Sequence, residues 1–167
     1  GDFEGYVSKG DVNKNNLIDA YDISNVATLL EGGIGLSAID KLTGKLTLTA
    51  SKTSYSAGDT VVVTVKGVDL KSVNALSFAL PYNKNEYDYI GIDQLNVKWM
   101  QNLTYDRLHT NGDKVVYPTF VNLGNEATLE GNETLFVLKF KAKRAVKLNL
   151  QLQHGLLVDK YLNTTAF

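Results

Sequence analysis

The stretch "DVNKNNLIDAYD" sets oxygen-bearing side chains at Asp11, Asn13, Asn15, Asp19 and Asp22, with an isolated Ile18 among them. That pattern suits a hard divalent cation. Calcium takes six to eight oxygens at about 2.3–2.6 Å, and a twelve-residue loop supplies them from positions 1, 3, 5, 7, 9 and 12. Counted from Asp11, those positions hold Asp11, Asn13, Asn15, Leu17 through its backbone carbonyl, Asp19 (often through water) and Asp22. Ile18 turns inward at position 8. Two positions depart from the usual loop. Asn16 stands where glycine makes the sharp turn, although asparagine tolerates a left-handed backbone well. Asp22 replaces the usual glutamate and is one methylene shorter. The expectation is a calcium loop; the competing reading is a solvated Asx-rich turn that caps a helix.

Other chemistry-bearing residues are sparse. The two histidines, His109 and His154, are far apart in sequence and read as surface or loop residues. No nucleophile-elbow motif supports a Ser–His–Asp triad. Glu126, Glu130 and Glu133 in "GNEATLEGNET" fall in a stretch that reads as a turn, where solvated acids are expected rather than a glycosidase pair. An enzyme is therefore not expected. Aromatic residues offer a second possibility. Tyr82, Tyr87 and Tyr89 in "PYNKNEYDYIG", with Trp99 shortly after, could stack on sugar rings beside Asn83, Asn85 and Asp88. In a strand, Tyr87 and Tyr89 point to the same face. The competing reading has these tyrosines covering the core, with their hydroxyls reaching solvent.

The elements that would position these residues follow from the apolar period. Ile23, Val26, Ala27 and Leu30 fall at i, i+3, i+4 and i+7, one helical stripe, and Gly32–Gly33 stop it. From Lys45 the period becomes two. "KLTLTA", "TVVVTVK", "TLFVLKFKAK" and "VKLNLQLQ" read as short strands. They are broken by "SAGD", "KGVD", "NKNE", "TNGD" and "LEGNE". In "TLFVLKFKAK", Phe136, Leu138, Phe140 and Ala142 take one face and Lys139, Lys141 and Lys143 the other. The fold class is mainly β: an antiparallel, jelly-roll-like sandwich of roughly nine strands with a small N-terminal loop-helix. The expected division is 1–36 for the calcium loop and helix, 37–44 for a linker and 45–167 for the sandwich.

Bulk properties narrow the classes further. At 167 residues and a formal net charge of −1, the chain lacks the basic surplus of a nucleic-acid binder. It has no cysteine, hence no disulfide framework or thiolate metal site. No apolar run approaches the roughly 20 residues that span a bilayer, so no membrane insertion is expected. The opening "GDFEGYVSKG" has neither initiator Met nor signal peptide and reads as part of a larger protein.

Two resemblances sharpen this reading. The cadence "DVNKNNLIDAYDISNVATLL", with Asp at position 12, resembles a single dockerin type I repeat over about Lys9 to Gly33. From about Lys45 to Asn163 the chain resembles a cohesin domain. The likeness is carried by "SKTSYSAGDTVVVTVKGVDLKSVNALSFALPYNKNEYDYIGID" and by "ETLFVLKFKAKRAVKLNLQL" with "GLLVDK". The resemblance implies an accessory module at the C-terminal end of a Bacteroides-type glycoside hydrolase, which is secreted, periplasmic or cell-surface. It also implies that the sheet face carrying the "LSFALPY" strand receives a dockerin helix. Expected partners are the protein's own upstream catalytic domain or a cohesin/dockerin-type protein, with a polysaccharide as the alternative. The dockerin-like helix itself is expected to pack on its own sandwich or on a neighbouring domain.

Overall fold

The computed structural model describes residues 42–124 and 127–167 together with Ala20. The calcium-loop positions Asp11, Asn13, Asn15, Leu17, Asp19 and Asp22 lie outside the described residues, as do the 23–30 stripe and Glu126. The backbone of Ala20 is helical.

Thirteen strands make up the described part. They are β1 (Thr43–Ala50), β2 (Ser54–Tyr55), β3 (Thr60–Val73), β4 (Ala75–Tyr82), β5 (Tyr87–Gln94), β6 (Gln101–Asn102) and β7 (Tyr105–Leu108). There follow β8 (Lys114–Tyr117), β9 (Thr119–Val121), β10 (Leu129–Ala142), β11 (Val146–Lys147), β12 (Gln153–Val158) and β13 (Thr164–Ala166). One sheet runs β1-β3-β10-β5. The other runs β13-β12-β4-β8-β7, with β9 also on β4 and β6 on β9. Every pairing is antiparallel, and β2 with β11 forms a small separate ribbon. The expected antiparallel sandwich is therefore present.

The alternation read in the first sheet is the alternation observed. Val61, Val63 and Val65 of β3 and Phe136, Leu138, Phe140 and Ala142 of β10 are buried in one core. Leu76, Phe78, Leu80 and Tyr82 of β4, with Val116 and Phe120, meet them from the second sheet. Phe136 bridges the layers, stacked against Phe78 at 6.2 Å between ring centroids and tilted against Phe120 at 4.6 Å. Rings carry much of a core's energetics because each buries a large apolar area and makes specific ring contacts.

Three expectations about strand boundaries change. "KGVD" and "LEGNE" are not breaks between strands: β3 and β10 run through them as 14-residue strands paired along their length. The polar residues are absorbed in register shifts, where Asp69 and Ser72 take positive φ. Side chains bridge the irregularity: Asp69 N donates to Asn132 Oδ1 at 3.0 Å and Ser72 N to Glu130 Oε2 at 3.1 Å. Glu130 and Glu133 thus belong to a strand rather than a turn. By contrast, "VKLNLQLQ" yields only the two-residue β11. Leu148, Leu150 and Leu152 still pack on the core, but their backbone runs as a connection outside either ladder. Periodicity there reports burial and not pairing. Finally, the sandwich has more strands than the nine expected, partly because Pro118, which has no N–H to donate, divides one strand into β8 and β9.

Candidate interaction face

The two sheets differ on the side that faces away from the core. On the β1-β3-β10-β5 sheet, the outward positions Thr60 and Lys141 are exposed, and Val62, Thr64, Val137 and Lys139 are partly exposed. Lys139 pairs there with Asp93, and Lys143 with Asp88 at 3.7 Å. This face is dressed for water.

The outward side of the β4 sheet is not. Antiparallel pairing sets Ser77 opposite both Leu156 of β12 and Thr119 of β9, and Ala75 opposite both Val158 and Val121. Further along, Pro81 lies opposite Val115, and Tyr117 opposite Tyr105. Ala75, Val121 and Val158 are fully buried, Ser77 is 4 % exposed and Thr119 1 %. Ala79, Val115 and Tyr117 form a second buried group with Tyr105 against it. All eight residues of "ALSFALPY" are buried or nearly so, a mark of a strand covered on both faces. Leaving it bare would be unfavourable, since each fully exposed valine forfeits roughly 1.5–3 kcal/mol of burial.

Ala20 lies on this face. It is fully buried and clusters with Ala75, Val121 and Val158, with Leu156 and Leu162 packed around them. Among the described residues it is the one buried member of that cluster from outside the strands. Its backbone N–H donates to Ser77 Oγ over 2.9 Å. A buried N–H left without an acceptor is costly. The serine hydroxyl presented by the sheet satisfies this one.

Polar contacts fix the remainder of the face. His109 Nε2 and Tyr117 Oη are 2.6 Å apart, and Tyr105 stacks on Tyr117 at 4.8 Å. Burial raises the Tyr117 phenol above its ordinary value, with Arg107 nearby opposing the shift. Thr119 Oγ1 donates to Tyr117 O at 3.1 Å. The sequence reading did not single out Ser77, Ala79, Thr119 or Tyr117. The signal available was the loss of alternation in "ALSFALPY" and "VVYPTFV".

The four candidate sugar-binding aromatics do not share a surface. Tyr87 is fully buried and Tyr82 is 8 % exposed. Tyr82, Tyr87 and Tyr89 all set their rings edge-on to Phe140, at 5.3, 6.0 and 5.5 Å. Their hydroxyls are used locally: Tyr82 Oη donates to Asp106 at 2.8 Å and Tyr87 Oη to Asn149 Oδ1 at 2.9 Å. An exposed tyrosine platform is therefore not what these residues form; they close one end of the core. The physical reason is that the β5 face shared by Tyr87 and Tyr89 is the inward one. Trp99 alone is exposed, at 38 %. An open depression of about 470 Å³ adjoins Tyr82, lined by Asn83, Asn85, Asp113 and Lys114 among others. Lys114 there is committed to Asp106 at 2.7 Å.

Among the described residues, no group of three or more His, Cys, Asp or Glu could hold a metal ion. None of their helices is long and apolar enough to cross a membrane.

Comparison with known proteins bears on this architecture. The family model described as cohesin domain matches residues 45–165. The chain is similar to the cohesin module of a Clostridium perfringens family 33 glycoside hydrolase, with TM-score 0.57, 17% identity, and coverage of 75% of this chain and 90% of that one. It is similar to a non-cellulosomal cohesin from the hyperthermophilic archaeon Archaeoglobus fulgidus, at 0.50, 20%, 72% and 82%. A chain of a type I cohesin–dockerin complex from Clostridium thermocellum matches at 0.54, 12%, 77% and 90%. At these identities the solved structures speak to the fold alone. No curated protein matches.

Proposed function

The chain belongs to the cohesin family, and from that premise we propose that it docks a dockerin-type protein on the outward face of its β4 sheet. Cohesin domains are non-catalytic interaction modules, so the chain is an accessory module and not an enzyme. The observation that carries the choice of face is the contrast between the sheets. One outward surface is lined with lysines and threonines, the other with Ala75, Ala79, Val121 and Val158 around Ser77. A helix lies well against a row of small side chains because its backbone can approach closely.

Finer parts of the reading rest on sequence chemistry. Asp11, Asn13, Asn15, Leu17, Asp19 and Asp22 supply the donor types and spacing of a calcium loop. Calcium bound there would order the N-terminal segment, since unliganded carboxylates in one loop repel each other. That segment packs on its own sandwich or on a neighbouring domain. The wider setting is a secreted, periplasmic or cell-surface bacterial glycoside hydrolase, with the upstream catalytic domain as a further partner. The solved module from a family 33 glycoside hydrolase supports this context. Direct polysaccharide contact is the lesser reading, because Trp99 is the one exposed member of the four aromatics, with Tyr82 and Tyr87 buried and Tyr89 partly buried.

The experiment is a calorimetric titration of the full chain with dockerin modules, wild type against Ala79→Arg. A charge at that buried outward position should abolish binding while thermal unfolding stays cooperative. Undiminished binding by Ala79→Arg would place the docking surface elsewhere.

A further inference from the structure

Family membership accounts for residues 45–165, yet a residue well upstream of that span sits on the face assigned to a partner. Ala20 is helical, fully buried against Ala75, Val121 and Val158, and bonded through its N–H to Ser77 Oγ at 2.9 Å. Its methyl group is wholly enclosed there. The contact joins positions 57 residues apart, so it is tertiary and not a local turn.

We infer that the segment carrying Ala20 is the resident occupant of the β4 face, so that the module is capped in cis and an outside dockerin-type partner must displace a tethered competitor. This rests on reading the β4 face as the docking surface and adds the identity of its occupant. The surface chemistry agrees: a strip of small residues lets a backbone approach closely, and the Ser77 hydroxyl gives its N–H an acceptor. The tether sets the scale of the competition. Attachment through a short connection gives an effective concentration of about 1 mM. If the free segment would bind with Kd of about 1 μM, the cap lowers an outside partner's apparent affinity by about a thousandfold. Partner binding is then graded by anything that loosens the N-terminal segment, without change in the sandwich itself.

The protein's lack of cysteine allows a clean test. In the full chain, Ala20→Cys with Ser77→Cys should oxidise to an intrachain disulfide, because the Ala20 amide lies 2.9 Å from the Ser77 side chain. A monomer with no free thiol, shifted on a non-reducing gel, is the expected result. Two titratable thiols, or a reducible dimer only, would overturn capping in cis. A second measurement avoids altering Ser77. A fluorescent synthetic peptide of residues 9–33 should bind full-length Ala20→Glu and not the wild type. Equal binding to both, or binding to neither, contradicts the inference. Neither assay involves an outside dockerin, so their failure is distinct from failure of the Ala79→Arg titration.

Discussion

The N–H of Ala20 ends on the hydroxyl oxygen of Ser77, 2.9 Å away and 57 residues along the chain. Ser77 stands in β4 between Leu156 and Thr119, on a sheet face that is apolar where its counterpart is charged. Removing the acceptor while keeping the shape is the direct probe of this bond. Ser77→Val strands a buried donor, which costs about 1–3 kcal/mol. Urea unfolding of the full chain should show that loss, and exchange at the Ala20 amide should accelerate with it. An unchanged midpoint and unchanged exchange would mean that the bond contributes nothing.

Calcium should act on the N-terminal segment and leave the sandwich alone. Chelation is expected to raise amide exchange across residues 11–30 and to leave β3, β4 and β10 protected. Saturating metal at a hundred times its Kd adds about 2.7 kcal/mol to whatever unit it orders. Asp11→Ala with Asp22→Ala should abolish the calcium response in both exchange and melting. A response that survives the double substitution would locate the ion elsewhere.

Core stability concentrates where the layers meet. Phe136 touches Phe78 and Phe120 from the opposite sheet, so Phe136→Ala opens a cavity between two packed faces. The expected cost is about 3–5 kcal/mol, read as a shift in urea midpoint. Trp99→Ala, at an exposed position, should change the midpoint little.

Alkaline pH should destabilise the fold through its buried phenols. Burial raises Tyr82, Tyr87 and Tyr117, and pushes Tyr89 up to about 12, from an ordinary value of 10.0. Below pH 10.0 the phenols are neutral in both states, and stability is at its plateau. Above it the unfolded chain loses protons that the folded chain keeps, so stability falls as pH rises. The decline should begin near pH 10 and continue to about 12, where Tyr89 ionises in the folded state. Denaturant midpoints measured from pH 8 upward would show this slope; a flat profile to pH 12 would contradict it.

Glycan binding by the aromatics is expected to be absent or to depend on Trp99 alone. In affinity gels cast with plant and host polysaccharides, mobility should match that of a gel without glycan. Retardation abolished by Trp99→Ala would favour a sugar-binding module. Tyr87→Ala would be uninformative by itself, because that ring lies in the core against Phe140.

The sandwich was legible in the sequence because its first sheet alternates openly: Phe136, Leu138 and Phe140 inward, Lys139 and Lys141 outward. The long strands were harder to read. Asp69, Ser72 and Gly131 look like turn residues but serve as irregularities within β3 and β10, because each strand has the other as a continuous partner. The aromatic cluster was legible only as two competing readings. Spacing places Tyr87 and Tyr89 on one face but does not say which face meets the core. Ser77 drew no attention because a serine in an apolar run has no local signature; its role depends on a residue 57 positions away.

Hydroxyl-radical footprinting of the full chain with calcium tests the central claim, that the β4 face is a covered docking surface, most directly. Val121 and Val158 should label far more slowly than the exposed Leu95, Leu103 and Leu123. In Ala20→Glu they should become reactive while Phe136 and Phe140 stay protected. Rapid labelling of Val121 and Val158 in the wild type, at the rate of the exposed leucines, would show an open face and contradict the account.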